Sequence, residues 1–191
     1  MFNRRSPIAL AGVLFGVFLA QNVSADKWDD AEKQILRLDP SEFLELPKDA
    51  LEELKSRGCK VPQSFGLGTN VIPGSFANNA QNDWAVLCSK DGSSSILVFW
   101  GGPVRCSSEI QRGKSKDREW LQCIGYGKIG YSRAIHAIEG ERILEEHKKY
   151  GLGKLPPIDH HGIVEEFLEK SWGVYYCYKG NWVQLPFAAG H

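Results

Sequence analysis

Two apolar runs separated by a short polar turn form the clearest hydrophobic pattern in the chain. The runs cover residues 83–88 and 95–100, and Asp91-Gly92 lies in the turn between them. Apolar residues occupy both alternating faces of each run, and their β-branched and aromatic content favours strands over a buried helix. Gly92 supplies the positive φ that the turn requires. The pattern therefore predicts a hairpin that lies inside a sheet rather than at its edge.

Shorter extended segments are predicted on both sides of this hairpin. They are apolar or alternating stretches bounded by glycine, proline or charged residues. The predicted strands are 70–72, 104–111, 120–124, 131–138, 174–178 and 182–185. Residues 112–119 are expected to form a charged loop between two of these strands. The last two strands flank Lys179-Gly180-Asn181, which predicts a second hairpin at the C-terminal end.

The first predicted helix is marked by its start and stop signals. Asp39-Pro40-Ser41-Glu42 has the form of a capping box with proline at the first helical position. Pro47 restarts the helix, Leu51 and Leu54 give it an apolar stripe, and Gly58 is placed as its end.

Two further helices are predicted in the second half of the chain. One covers residues 141–150. Asp159 is a helix cap for the other, which is expected from residue 160 to about residue 170. Its apolar stripe would consist of Ile163, Val164, Phe167 and Leu168. The elements together predict one α+β domain over residues 39–191, with a mostly antiparallel sheet and about three packed helices.

The first 25 residues have the three parts of a secretory signal. Two arginines near the start precede an apolar run at residues 8–20, and Val23-Ser24-Ala25 is a small-residue cleavage site. The apolar run is shorter than the ~20 residues that a membrane span requires. We expect cleavage after Ala25, no membrane span in the mature protein, and a flexible segment at residues 26–38. The predicted location is therefore periplasmic or secreted.

The charge balance argues against a nucleic-acid partner. The sequence has 23 basic and 23 acidic residues, so its formal net charge is 0. Residues 1–25 contain Arg4 and Arg5 and no acidic residue, so their removal leaves a net charge of −2. A near-neutral domain lacks the basic surface that nucleic acid attracts. The sequence also contains no motif for a cofactor, and none is predicted.

All five cysteines lie in the part of the chain that would be exported, where disulfides are expected. Since five is an odd number, one thiol is left over. The predicted pairs are Cys59–Cys88 and Cys106–Cys123, with Cys177 free in a buried strand, although the spacing permits other pairings. The domain is thus expected to contain one or two disulfides.

Aromatic residues are numerous for a domain of this size. An exposed row of them on a sheet face could stack on a sugar or pack against a partner protein. The residues concerned are Trp84, Trp100, Trp120, Trp172, Tyr175, Tyr176, Tyr178 and Trp182, and the candidate binding set taken from them is Trp84, Trp100, Tyr175 and Trp182. The alternative is that most of these rings belong to the core, since aromatic residues favour half-buried sheet surface.

A short histidine-containing motif supplies the candidate metal ligands. Asp159-His160-His161-Gly162 could combine with Glu165, because residues 161 and 165 would share one face of the predicted helix. The alternative is a helix cap followed by two surface histidines. Cys177 with His136 is a further candidate pair for nucleophilic chemistry, against the alternative of a buried, inert thiol.

Several of these motifs, in this order, resemble an uncharacterised group of exported bacterial proteins. The matching segments are Leu46-Pro47, Gly58-Cys59-Lys60-Val61-Pro62-Gln63, Asp83-Trp84-Ala85-Val86-Leu87-Cys88-Ser89, Asp159-His160-His161-Gly162 and Val174-Tyr175-Tyr176. The resemblance covers most of the mature chain. It implies export and a single domain, and it implies no activity.

Two functional hypotheses follow from the sequence, beside the alternative of a structural protein without a small-molecule site. The first is an exported, non-catalytic protein that binds another protein or a glycan through an aromatic sheet face. The second is a metal-assisted hydrolase centred on Asp159, His160, His161 and Glu165. The aromatic content and the lack of a recognisable catalytic motif favour the first.

Overall fold

The structure is a computed structural model of the 191-residue chain, and it describes residues 23–66, 70–150 and 153–187. Most of the predicted signal segment therefore lies outside the described residues. Within them, the helices are α1 (Val23–Lys33), α2 (Lys48–Arg57) and α3 (Gly140–Tyr150). The strands are β1 (Arg37–Leu38), β2 (Val61–Pro62), β3 (Val71–Gly74), β4 (Asp83–Lys90), β5 (Ser93–Phe99), β6 (Glu109–Lys116), β7 (Leu121–Cys123), β8 (Ile129–Tyr131), β9 (Arg133–Ile138), β10 (Gly162–Phe167), β11 (Ser171–Tyr178) and β12 (Asn181–Phe187).

Two four-stranded antiparallel sheets form the centre of the described part of the chain. The first has the order β3-β4-β5-β6, and the second has the order β12-β11-β10-β9. Two smaller ribbons, β1-β2 and β7-β8, lie beside them. The predicted α+β class with antiparallel sheets, about three helices and disulfides is confirmed.

The outer face of the first sheet packs against α2. Val86 and Leu97 on the sheet are buried together with Ala50 and Leu54 on the helix. The predicted disulfide Cys59–Cys88 is confirmed. It joins the residue that follows the helix stop at Gly58, whose φ is 71°, to strand β4.

The inner faces of the two sheets pack on each other and bury the largest apolar cluster. From the first sheet it contains Ala85, Leu87, Ile96 and Val98, and from the second it contains Ile135, Ile163 and Tyr175. A buried ion pair between Arg133 and Glu165 lies in the same interface, and the Arg133 guanidinium also donates to the backbone oxygen of Ser94 at 2.7 Å. The ion pair of the second sheet is thereby bonded to a strand of the first.

The outer face of the second sheet packs against α3, which gives an α/β/β/α order of layers. Val164, Val174 and Tyr176 on the sheet contact Ile143 on the helix. Because each sheet is covered on both faces, both alternating sets of its side chains are apolar. This explains why the strands of the central hairpin β4-β5 carry apolar residues on both faces.

The predicted helix at residues 160–170 is wrong: most of this segment is strand β10. It pairs with β9 on one side and with β11 on the other, with Val164 opposite His136 and Val174. Residues 163, 164, 167 and 168 suit a helical stripe, but Ile163 and Val164 are here buried on opposite faces of one strand. A strand with two neighbours and two covered faces lacks the simple alternation that identifies a strand in a sequence.

Two other predicted elements differ from the observed ones. The charged segment at residues 112–119 is not a loop, because strand β6 extends to Lys116 and a 3-10 turn follows at Asp117–Trp120. The capping box of Asp39 and Glu42 is present, but it starts a single 3-10 turn at Pro40–Glu42, and the helix proper begins after Pro47.

The segment predicted to be flexible, residues 26–38, contains most of α1 and strand β1. Trp28 and Ala31 of α1 pack against the cluster between the sheets, and Ile35 is buried within it. No helix among the described residues is long and apolar enough to cross a membrane.

Candidate functional site

The candidate site lies at one end of the two packed sheets, next to the second disulfide. This disulfide joins Cys106 to Cys177, so the predicted Cys106–Cys123 pair and the free Cys177 are both wrong. Cys106 lies in the loop after β5, which passes next to β11, whereas Cys123 lies on the separate ribbon β7-β8. Among the described residues Cys123 is the free cysteine, and it is exposed. Two disulfides indicate a non-cytoplasmic, oxidising compartment.

Two of the aromatic residues singled out in the sequence meet beside this disulfide. The rings of Trp100 and Trp182 stack with their centroids 5.8 Å apart, and both pack against Cys106 and Cys177. The indole N–H of Trp100 donates to Ser108 Oγ at 3.2 Å, and that of Trp182 donates to the Ser107 backbone oxygen at 2.8 Å. The pair is therefore held in a fixed orientation.

The loop at residues 75–82 forms one wall of the site, and the fully buried carboxylate of Asp83 holds it in place. Its Oδ2 accepts the Phe76 backbone N–H at 2.9 Å, and its Oδ1 accepts from Gln81 Nε2 at 2.8 Å and from the Gly101 backbone N–H at 2.9 Å. A carboxylate bonded to several donors is a strong local constraint. The loop is thus fixed to the open end of the central hairpin, where β4 begins and β5 ends.

The histidine motif lies opposite this loop and is bonded to it. The His161 backbone N–H donates to the Ser75 oxygen at 3.0 Å, and the Ser75 backbone N–H donates to His161 Nδ1 at 3.2 Å. Asn79 Nδ2 donates to the Asp159 backbone oxygen. His161 therefore joins two loops, and its Nδ1 is already occupied as an acceptor.

His160 is buried at the base of the site in a network with two neighbours. Its Nε2 lies 3.0 Å from the Cys177 backbone oxygen, which can only accept, so Nε2 carries a hydrogen. Its Nδ1 lies 2.7 Å from Asp159 Oδ1 and 2.9 Å from the Tyr176 hydroxyl. Both ring nitrogens of His160 therefore have polar partners within the protein.

Tyr176 completes the network from strand β11. Its hydroxyl accepts the Asp159 backbone N–H at 2.9 Å and donates to Asp159 Oδ1 at 3.0 Å. Burial raises the pKa of the Tyr176 hydroxyl to about 12, so the hydroxyl remains protonated at neutral pH. The hydrogen bonds from His160 and Tyr176 lower the pKa of Asp159, so its carboxylate is ionised.

Asp159 and His160 of this network line an open cleft of about 410 Å³. Its polar lining consists of Asn78, Asn79, Asp159, His160, Tyr178 and Lys179. The Asp159 side chain is 79% exposed although its Oδ1 is anchored, so the carboxylate is accessible to a ligand. Lys179 Nζ lies 5.2 Å from the centroid of the neighbouring Tyr178 ring, and both residues line the cleft. The cleft thus offers an anion, a cation, two amides and an aromatic ring within one small volume.

The four candidate metal ligands do not converge. Asp159 and His160 bond to each other, but His161 bonds to Ser75, and Glu165 is buried between the sheets. Glu165 Oε1 pairs with Arg133, and its Oε2 accepts the Tyr175 hydroxyl at 3.0 Å. The described residues contain no group of three or more His, Cys, Asp or Glu side chains that could hold a metal ion.

The four candidate aromatic residues do not form one exposed row either. Trp84 packs on the outer face of the first sheet, with the cluster that faces α2, and Tyr175 is buried between the sheets. Only Trp100 and Trp182 of this set meet among the described residues. The candidate pair of His136 and Cys177 is excluded as a nucleophile, since Cys177 is in a disulfide.

Asn78, Asn79 and Lys179 were not among the residues predicted to form a site. Asn79 follows a predicted strand, and Lys179 lies in the turn of the predicted C-terminal hairpin. Such turns carry binding residues more often than strands do. This positional signal was available, but the sequence does not show which turns lie side by side.

Neither a family model, nor a curated protein, nor a solved structure matches the chain. The function is therefore inferred from the cleft itself.

Proposed function

We propose that the mature protein is an exported, non-catalytic binding protein that holds a glycan in the cleft beside the Cys106–Cys177 disulfide. The observation that carries this proposal is the combination of a fixed, accessible Asp159 carboxylate with Tyr178 and Lys179 in a cleft of about 410 Å³. Ligand pockets for small molecules have volumes in this range, with a few polar groups that orient the ligand.

The chemistry of the lining suits a polyhydroxylated ligand. The Asp159 carboxylate would accept hydrogen bonds from sugar hydroxyls, and the amides of Asn78 and Asn79 can both donate and accept. The Tyr178 ring offers an apolar surface to the C–H face of a sugar ring. The Trp100–Trp182 pair packs against the same disulfide and would contact a longer glycan chain.

Export to the periplasm or the exterior belongs to the same proposal. The two disulfides among the described residues support an oxidising compartment, and the arginine, apolar and small-residue pattern of residues 1–25 supports removal of a signal after Ala25. The mass of the protein recovered from the producing cells measures this directly: we expect a chain that begins at Asp26.

The binding test uses a panel of defined oligosaccharides titrated into the mature protein by calorimetry. We expect at least one oligosaccharide to bind. Tyr178→Ala and Lys179→Ala should each raise its Kd about tenfold, which is the effect of one lost contact. Tyr126→Ala is the matched control, because Tyr126 is fully exposed and does not line the cleft.

The result can also decide between the two partner classes. Binding that both cleft variants leave intact would show that the sugar binds elsewhere. Failure of the whole panel, with a folded protein by circular dichroism, would contradict the glycan proposal and leave a protein partner as the ligand class to pursue.

A further inference from the structure

A second concave surface lies on the outer face of the second sheet, which is the face that packs against α3. It is located where this helix begins. This groove has a volume of about 570 Å³. Its charged and aromatic lining consists of His136, Glu139, Arg142, Glu146, Glu166 and Trp172. Ala137 and Ile138 contribute apolar surface to the same groove. It shares no lining residue with the cleft beside the disulfide.

Glu166 is the central group of the groove because its carboxylate is only weakly compensated. It lies on strand β10 and is half-buried. Among the described residues, its ionic neighbour is His136, whose Nδ1 is 3.9 Å from Glu166 Oε2, beyond hydrogen-bond distance. Burial raises the pKa of Glu166 and lowers the pKa of His136, so the neighbouring ring favours its neutral form.

The guanidinium in the groove is already engaged by other carboxylates. Arg142 Nη2 lies 2.8 Å from Glu146 Oε1, and Arg142 Nη1 lies 3.0 Å from Glu145 Oε2. The Glu146 side chain is only 7% exposed, so this contact is sheltered from solvent. Lys149 Nζ also lies 3.8 Å from Glu146 Oε2. The groove still has excess negative charge, because the carboxylates of Glu139, Glu146 and Glu166 are accompanied by two cations and a ring that favours neutrality.

We propose that this groove binds an alkylammonium cation, with Glu166 accepting hydrogen bonds from the ammonium group and Trp172 lying beside it. A cation brought to Glu166 would provide the opposite charge that the His136 ring, 3.9 Å away and favouring its neutral form, does not provide. The half-buried Trp172 indole and the apolar surface of Ile138 suit the methylene chain, and an indole attracts a cation within about 6 Å of its ring. The ammonium could come from a free amine or from a lysine side chain, which share this chemistry.

The test titrates two probes into the full mature protein: 1,5-diaminopentane and Nα-acetyl-lysine methylamide. We expect calorimetry to detect binding of at least one probe, and Glu166→Gln to weaken it by about tenfold or more, because one charge-assisted hydrogen bond is lost. Glu145→Gln is the matched control. It removes a carboxylate that also contacts Arg142 but does not line the groove, so the affinity should stay within about twofold.

The two probes distinguish the source of the cation. Tighter binding of the diamine indicates a free amine, and tighter binding of the lysine derivative indicates a basic side chain of a protein. Equal weakening by Glu166→Gln and Glu145→Gln would overturn the proposal, because it would indicate a diffuse charge effect. Failure of both probes to bind at millimolar concentration would also overturn it.

The pH dependence supplies an independent readout. The titratable and charged groups that line the groove with Glu166 are His136, Glu139, Arg142 and Glu146, and Lys149 lies 3.8 Å from Glu146. As the pH falls, Glu166 is protonated at a higher pH than an ordinary glutamate because burial raises its pKa, and His136 gains a positive charge at a lower pH than an ordinary histidine because burial lowers its pKa. Both changes oppose cation binding, so the affinity should fall in acid. In Glu166→Gln the first of these steps should disappear, and a pH profile unchanged from the parent protein would contradict the role of Glu166.

Discussion

The Arg133–Glu165 pair explains, at the scale of single residues, why a charged residue lies in the core. Glu165 was a candidate metal ligand in the sequence, yet its side chain is 6% exposed, and Arg133 and Tyr175 occupy its two oxygens. Its partner Arg133 is 32 residues away along the chain and also contacts the Trp120 ring at 4.7 Å. No local sequence pattern identifies such a partner, so burial with a counter-ion could not be predicted.

Arg133→Met should therefore be strongly destabilising. It leaves the Glu165 carboxylate buried without its counter-ion, and breaking a buried pair in this way costs about 3–5 kcal/mol. Urea unfolding measures the change in the free energy of unfolding. Lys48→Met is the control, since its pair with Glu52 is exposed and 3.8 Å long, and should change stability by about 1 kcal/mol or less. A similar small loss in Arg133→Met would show that the interface between the sheets is open to water.

At the scale of elements, Gly162 distinguishes the observed strand β10 from the helix that the sequence predicts. An added Cβ at this position would lie 2.5 Å from Val174 Cγ1 and 3.0 Å from Ile143 Cδ1. Gly162→Ala should therefore destabilise the protein by about 1–3 kcal/mol, the usual cost of overpacking. In a helix the same substitution would stabilise by about 1 kcal/mol. The sign of the change, measured by urea unfolding, decides between the two.

Gly173→Ala on the neighbouring strand β11 is the matched control. Its Cβ would have Leu185 O as the nearest atom, at 3.6 Å, which is an ordinary contact. This substitution should be neutral or slightly stabilising. Equal stabilisation of both variants would contradict the close packing of Gly162 in β10 against β11 and α3.

The prediction of β10 failed for a reason that also explains which elements were predicted correctly. The hairpins β4-β5 and β11-β12 are confirmed, because each has a short turn with glycine between two apolar runs. Their register follows from the turn, which is local. Strand β10 is joined to β9 through α3 and a long loop, so its pairing depends on distant residues. Its apolar positions fit a helix and a doubly covered strand equally well.

At the scale of the whole molecule, the two disulfides hold different pairs of layers together. Cys59–Cys88 joins the end of α2 to the first sheet, and it was predicted because both cysteines adjoin recognisable elements. Cys106–Cys177 joins the loop after β5 to the second sheet. The sequence could not reveal this pair, because it depends on the face-to-face packing of the sheets. For the same reason, the sequence indicated Asp159 and His160 but not the loop of Asn78 and Asn79 opposite them.

The linkage between the sheets leads to a prediction about the whole fold. Replacing both Cys106 and Cys177 with alanine, in a Cys123→Ser background that prevents thiol exchange, should lower the free energy of unfolding by about 4 kcal/mol. This is the value expected for a closed loop of this size, because the two cysteines are 71 residues apart. Urea unfolding against the Cys123→Ser parent measures the loss.

The variant without the Cys106–Cys177 disulfide also tests the proposed ligand cleft. Cys177 lines the cleft, and its backbone oxygen contacts His160 Nε2, so a β11 strand that has moved away from the loop would open the site. We expect the double variant to remain folded at low temperature and to bind the oligosaccharide more weakly than its parent. A decrease in the free energy of unfolding below about 1 kcal/mol, with unchanged affinity for the oligosaccharide, would contradict this prediction. It would mean that apolar contacts alone hold the two sheets in place and that the disulfide contributes little to stability.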